Sequence, residues 1–158
     1  MKKDILLFFL FIFLLNACSQ DKNQKDKVID EIFSKELRLT KNKRAGQIFY
    51  IINSMSCETC IEMNLDYFSN NYDLHNINLI LINKSGFSRF ENFANVLKSE
   101  SDIYMLKEEQ IALYKIRTLD PLLVVFDKNG ELFVSKNIVD DKVFQLNQII
   151  DEIVSKKS

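Results

Sequence analysis

The chain has 158 residues, of which 47% are hydrophobic and 27% charged, a balance that suits one globular domain and leaves too little length for two. Twenty-one basic and 22 acidic side chains give a formal charge of −1, so there is no basic excess to neutralise a phosphate backbone, and nucleic acid is excluded as a partner class. Three glycines and one proline argue against a loop-dominated chain, and three cysteines are too few for a disulfide-stapled miniprotein.

The N-terminus reads as an address. Met1-Lys2-Lys3 is a short basic segment, followed after Asp4 by eleven consecutive apolar residues from Ile5 to Leu15. A helix crossing the hydrocarbon core needs about 20 such residues, so this run has the proportions of a signal-peptide core. The next residues, Leu15-Asn16-Ala17-Cys18, resemble the bacterial lipobox. That resemblance implies a signal peptide over residues 1–17, cleavage before Cys18, and lipid on the Cys18 sulfur and the new amino terminus. The expected location is the cell envelope, lipid-anchored on the periplasmic face, with outer membrane or cell surface left open by Ser19. Residues 18–27 are polar, cannot bury enough surface to fold, and read as a tether. Without residues 1–17 the chain carries a net −2.

The domain is expected over residues 28–156, with its core at about 45–155. Asp26 to Arg38 places Val28, Ile29, Ile32, Phe33 and Leu37 at helical spacing, which predicts a helix before the first strand. Ile48–Ile52, Ile77–Ile82 and Leu122–Phe126 are continuous apolar runs, the pattern of strands buried on both faces. Between them, Cys57 to about Asn71 places Ile61, Leu65 and Phe68 on one helical face. Phe90, Phe93, Val96 and Leu97 mark a second helix over 88–99. Ile103 to Leu106 reads as a short strand and Glu108 to Tyr114 as a further helical turn or two. Asp127-Lys128-Asn129-Gly130 signals a hairpin, with a fourth strand over Glu131–Ile138. A final helix over about Asp140–Val154 carries Val143, Phe144, Leu146, Ile149, Ile150 and Ile153. Strands alternating with helices predict an α/β class, a central mixed sheet flanked by helices.

Ser54-Met55-Ser56-Cys57-Glu58-Thr59-Cys60 follows a buried strand and opens an amphipathic helix. Two cysteines three apart on a first helical turn lie on one side, within disulfide reach. Unpaired backbone N–H groups and the helix dipole there favour negative charge, lowering a thiol pKa. Cys57 is therefore the expected attacking thiol and Cys60, one turn in, the resolving thiol. With Cys18 lipidated, these are the two cysteines left to pair.

At these residues the chain resembles the thioredoxin-like superfamily, over roughly 45–155. Ala112 to Glu131 resembles that family's segment running through a cis-proline into the β-hairpin, and Pro121, the only proline, matches the cis-Pro position. The resemblance implies that Pro121, with Asp120 before it, lines the substrate-binding edge beside the dithiol. The lipid anchor and the hairpin most resemble membrane-tethered, redoxin-like proteins of bacterial envelopes. The departures are specific. Ser56 stands where many members have Trp and is a candidate helix cap. Ile51 replaces the buried acid six residues before the first cysteine. Met63 replaces the glutamate of envelope redoxins six residues after it, with Glu62 adjacent but pointing elsewhere. Asp120 precedes the proline where Thr is usual, and a carboxylate near the dithiol opposes a thiolate at Cys57 or relays protons.

A metal is not expected. Zinc takes four ligands, or three plus water, and the only other candidates are Cys18 and the single His75, read as an exposed loop residue. No organic cofactor is needed either. A purely structural disulfide between Cys57 and Cys60 closes so short a loop that it contributes little. Phe87, Phe90 and Phe93 read as core or core-edge, and Glu58 and Thr59 as tuning residues within the motif. Two readings follow: a thiol–disulfide oxidoreductase acting on protein thiols and disulfides in the envelope, or a lipid-anchored binding or assembly module with little redox turnover.

Overall fold

The computed structural model describes residues 24–71, 76–85, 88–97, 102–114 and 120–155, without the side chains of 96 and 140. The signal peptide, Cys18, His75 and Phe87 lie outside the described residues.

The helix before the first strand (α1) covers residues 24–31 and continues as a π-helical turn, Ile32–Glu36. It begins inside the stretch read as polar tether, because its polar end has partners on the sheet. Lys25 Nζ donates to Asn137 Oδ1 at 3.0 Å, and Ser135 Oγ donates to Asp26 Oδ1 at 3.1 Å. Past the wide turn Arg38 takes φ 53°, the left-handed region that lets a chain reverse at a helix end. Leu39 then turns back into the core. A one-turn helix, α2 (Lys41–Arg44), follows.

Next come β1 (Ile48–Asn53), α3 (Glu58–Asn71), β2 (Ile77–Asn83), α4 (Arg89–Val96), β3 (Ile103–Lys107), α5 (Glu108–Ala112), β4 (Leu122–Phe126) and β5 (Leu132–Asn137). The five strands form one sheet in the order β3-β2-β1-β4-β5. β1, β2 and β3 are parallel neighbours, whereas β4 runs antiparallel to β1 and to β5. The three apolar runs are the three inner strands, and β3 and β5 are the edges, which is why their burial is partial.

Alternation along β1 divides the core. Tyr50 and Ile52 face α3, α4 and the C-terminal helix, packing on Phe68, Phe90 and Ile149 among others. Phe49 and Ile51 face α1 and α5, packing with Phe33, Ile111 and Phe126. On that second face Phe33, Phe49 and Phe126 meet edge to face, with ring centroids 4.8–5.8 Å apart.

The final apolar segment is not one helix. Asp140–Gln145 is a 3₁₀ turn, and only Leu146–Ser155 (α6) is α-helical. The period of three puts Val143 and Leu146 directly in line, and both are fully buried. The same geometry turns Phe144, carried on the expected final helix, outward to 59% exposure, where its ring meets Tyr67 edge to face.

At the hairpin, Asp127 Oδ1 accepts the N–H groups of Asn129 (2.8 Å) and Glu131 (2.9 Å). Gly130 takes φ 76°, and a Cβ there would collide with the Lys41 carbonyl of α2. Lys41 also pairs with Glu131, so α2 and the hairpin are locked together. Gly130→Ala combines a backbone collision with a strained φ and is expected to cost about 2 kcal/mol or more. Denaturant titration of the two proteins checks this as a drop in midpoint with unchanged slope.

Candidate functional site: a dithiol at the start of α3

The turn that carries the cysteines is fixed from beneath. Ser54 N–H extends the β1–β2 ladder to the Ile82 carbonyl at 2.9 Å. Ser54 Oγ accepts the Lys84 N–H at 2.8 Å. Asn53 closes the turn twice, its Oδ1 accepting from Met55 N–H and its carbonyl from Ser56 N–H, both at 3.0 Å.

The helix cap falls on Cys57 rather than Ser56, because α3 begins at Glu58. The Cys57 carbonyl accepts the first helical bond, from Ile61 N–H at 3.0 Å, and its Sγ accepts the Cys60 N–H at 3.1 Å. A Ser or Asp oxygen at a helix start makes this same bond to the third residue of the helix. Here a sulfur makes it. A thiolate accepts such a bond better than a thiol, and the positive end of α3 adds to the preference.

Cys57 and Cys60 are joined as a disulfide, with Cα atoms 5.2 Å apart. Cys57 is exposed and Cys60 half-buried. Met55, two residues before Cys57, is 48% exposed, an apolar side chain on the open rim of the site.

β4 starts at Leu122 opposite Ile51, so Asp120 and Pro121 run along the same end of β1 that leads to Cys57. Pro121 is buried and Asp120 exposed. The Pro121 carbonyl accepts the Ile138 N–H at 2.8 Å, anchoring this edge to the segment after β5. The resemblance implied a cis bond here. No cis peptide occurs among the described residues, and Asp120–Pro121 is trans. The trans form is the more stable state of an X–Pro bond by about 0.5–1 kcal/mol, and the anchoring bond uses the proline carbonyl, which both isomers retain.

Ile51 and Met63, at the positions where the resemblance would place acids, both lie among the described residues. Ile51 is buried and lines an apolar cavity of about 20 Å³ with Ile29, Phe33, Ile82 and Leu122. A lone water would fit there by volume but would find almost no polar partner. Met63 is half-buried, and Glu62 points to the outer face of α3, where it pairs with Arg89 at 3.1 Å. Glu58, inside the motif, is 79% exposed and lies 3.6 Å from the same guanidinium.

One polar pair at the site is not evident from the sequence pattern. Asn64 is buried among apolar neighbours one turn below Cys60. Its Nδ2 donates to the Cys60 carbonyl at 2.7 Å, and its Oδ1 accepts the Tyr50 hydroxyl at 2.6 Å. Burial, with a smaller contribution from the Tyr67 charge, pushes the Tyr50 pKa far above its usual value, so this hydroxyl stays a donor. The sole hint was position: Asn64 is four residues after Cys60 and shares a face with Ile61 and Phe68.

The raised Tyr50 pKa has a consequence for alkaline stability. The unfolded chain ionises this phenol near pH 10 while the folded chain holds the proton. Stability is therefore complete below pH 10 and falls as pH rises above it. Tyr50→Phe is expected to flatten the decline by up to about 1.4 kcal/mol per pH unit, the slope of one proton. Urea titrations between pH 9 and 11.5 check this.

No family model matches the chain, and no curated protein matches it in sequence. Among solved structures, it is similar to an uncharacterized thioredoxin-like protein from Porphyromonas gingivalis (TM-score 0.49, 16% identity, 72% of this chain and 80% of that one). It is also similar to StoA from Bacillus subtilis (TM-score 0.44, 24% identity, 66% and 82%). A thioredoxin-like protein from Aeropyrum pernix gives TM-score 0.44 and 18% identity over 72% and 81%. By strand order, by strand direction and by the place of the cysteine pair, this chain has a thioredoxin-like α/β fold with Cys57–Cys60 at the start of the helix after its central strand.

Proposed function

We propose that the chain is a lipid-anchored thiol–disulfide oxidoreductase of the bacterial cell envelope, acting on protein thiols and disulfides. One observation carries the redox reading: an exposed Cys57 caps α3 and takes the Cys60 N–H on its sulfur, with Cys60 bonded to it from behind. In the reducing direction the Cys57 thiolate attacks a substrate disulfide. One substrate sulfur leaves as thiolate, and a mixed disulfide forms. The Cys60 thiolate then attacks Cys57 Sγ, releasing the second substrate sulfur and closing the Cys57–Cys60 disulfide. Two electrons pass to the substrate, and an external dithiol restores the pair. The reverse sequence donates a disulfide. Pro121 and Asp120 form the edge against which the substrate chain lies. The anchor rests on the sequence of residues 1–18, and no described helix is long and apolar enough to cross a membrane.

Turnover of an insulin disulfide with dithiothreitol is the test, comparing the wild type with Cys57→Ser/Cys60→Ser. The wild type is expected to be faster. Equal rates favour the binding or assembly module, for which the apolar surroundings of Ile51 are the supporting observation.

A further inference from the structure

Glu58 and Glu62 lie four residues apart on one face of α3, a like-charge pair that opposes helix formation. Glu58 is in the first turn, where its charge suits the helix dipole. The same charge sits next to the capping Cys57 and works against a thiolate there. The helix and the thiol therefore make opposite demands on one carboxylate.

Arg89 meets both acids. Its Nη1 lies 3.1 Å from Glu62 Oε1 and its Nη2 3.6 Å from Glu58 Oε1. Arg89 is the first residue of α4, where a cation opposes that helix's own dipole. Its position is thus not explained by the stability of α4. It is explained by α3. Among the other charged residues near this end of the sheet, Lys84 follows β2, Asp120 precedes β4 and Glu91 is on α4. All three are exposed, and none is joined to Glu58 or Glu62 by an ion pair among the described residues.

We propose that Arg89 is a positioning residue of the dithiol, holding the Glu58 and Glu62 carboxylates on the outer face of α3 and offsetting their charge so that Cys57 ionises. This rests on the redox reading of the pair and adds a residue outside the motif that sets its thiolate fraction. A unit charge acting over on the order of 10 Å of largely aqueous path changes an ionisation equilibrium by roughly twofold at low salt. At 1 M salt the Debye length falls to about 3 Å and the effect disappears.

The test is the pH profile of iodoacetamide alkylation at Cys57 in the reduced full-length protein, read by mass spectrometry. Arg89→Gln is expected to raise the alkylation midpoint by roughly 0.3 pH unit at low salt, a rate about twofold lower on the rising limb. Arg89→Lys retains most of the wild-type midpoint. Adding Glu58→Gln and Glu62→Gln to Arg89→Gln returns the midpoint to the wild-type value or below it. All shifts shrink at 1 M potassium chloride, while the far-ultraviolet circular dichroism stays unchanged. An Arg89→Gln midpoint equal to wild type at low salt overturns the proposal, and so does a shift that persists at 1 M salt. Alkylation needs only a free thiol, so an inactive insulin assay would sink the oxidoreductase reading without touching this result.

Discussion

Cys60→Ser is expected to accumulate a covalent mixed disulfide with its substrate through Cys57, whereas Cys57→Ser captures nothing and loses turnover by roughly three orders of magnitude or more. The asymmetry comes from the geometry. Cys57 is exposed, and its sulfur already occupies the cap position that stabilises negative charge. Cys60 is half-buried, and the hydrogen bonds around it go to its carbonyl and N–H. In the proposed cycle its part is the second, intramolecular step, where nearness substitutes for ionisation. A serine at 60 removes the group that resolves the mixed disulfide while leaving the attacking sulfur intact. A serine at 57 removes the attacking sulfur itself, because a hydroxyl is not ionised at neutral pH and is a poor nucleophile towards sulfur. Non-reducing gels of each variant after exposure to a disulfide-bonded protein decide the matter. A trapped band of equal strength from both variants would mean that the two thiols are interchangeable and the cap geometry is irrelevant.

The second large effect is structural and runs against intuition. Asp30→Ala, which removes a half-exposed surface carboxylate, is expected to cost about 3 kcal/mol and to lower the melting temperature by about 10 °C. The reason is Arg44, only 2% exposed, whose Nη1 binds Asp30 Oδ1 at 2.6 Å while its guanidinium lies over the Phe126 ring at 4.9 Å. Among the described residues its Nε has no hydrogen-bond partner. Without Asp30 a buried cation is left unpaired. Arg44→Met, by contrast, leaves a carboxylate that turns to water and a side chain that still covers Phe126, so it is expected to cost less. The double variant should then be more stable than Asp30→Ala alone. Calorimetry on the four proteins of this cycle tests the asymmetry, which fails if Arg44→Met is the more damaging single change.

These two sites differ in how well the sequence announces them. Short continuous apolar runs bounded by polar segments fit strands covered on both faces, so Ile48–Ile52, Ile77–Ile82 and Leu122–Phe126 were legible as the middle of the sheet. A CxxC directly after such a run was legible as a dithiol at a helix start. The finer geometry was not. Whether Ser56 or Cys57 caps α3 depends on where one turn of backbone stops, and a polar residue next to the helix start does not settle that. The helix expected over about 140–154 is α-helical only from Leu146, because the spacing of three between Val143 and Leu146 fits a 3₁₀ turn as well as an α-helix. Arg44 lies in the charged stretch Lys41-Asn42-Lys43-Arg44, and is buried where Asp30 of α1 and Phe126 of β4 meet it. Arg89 and Glu58 are thirty-one positions apart and meet only through the packing of α4 beside α3. Pro121 lies just before β4, at the end of β1 that leads to Cys57, while the isomer of its peptide bond was not readable from spacing.

Cys57 and Cys60 are expected to exchange electrons reversibly with other thiols. Equilibrating the protein in glutathione buffers of graded ratio, then quantifying the Cys57–Cys60 disulfide, tests it most directly. The expected result is one two-electron transition with a midpoint between about −270 mV, the value of a reductant, and about −120 mV, that of an oxidant. A pair that stays fully disulfide-bonded or fully reduced across every buffer, or that titrates as two independent glutathione adducts, would contradict the account.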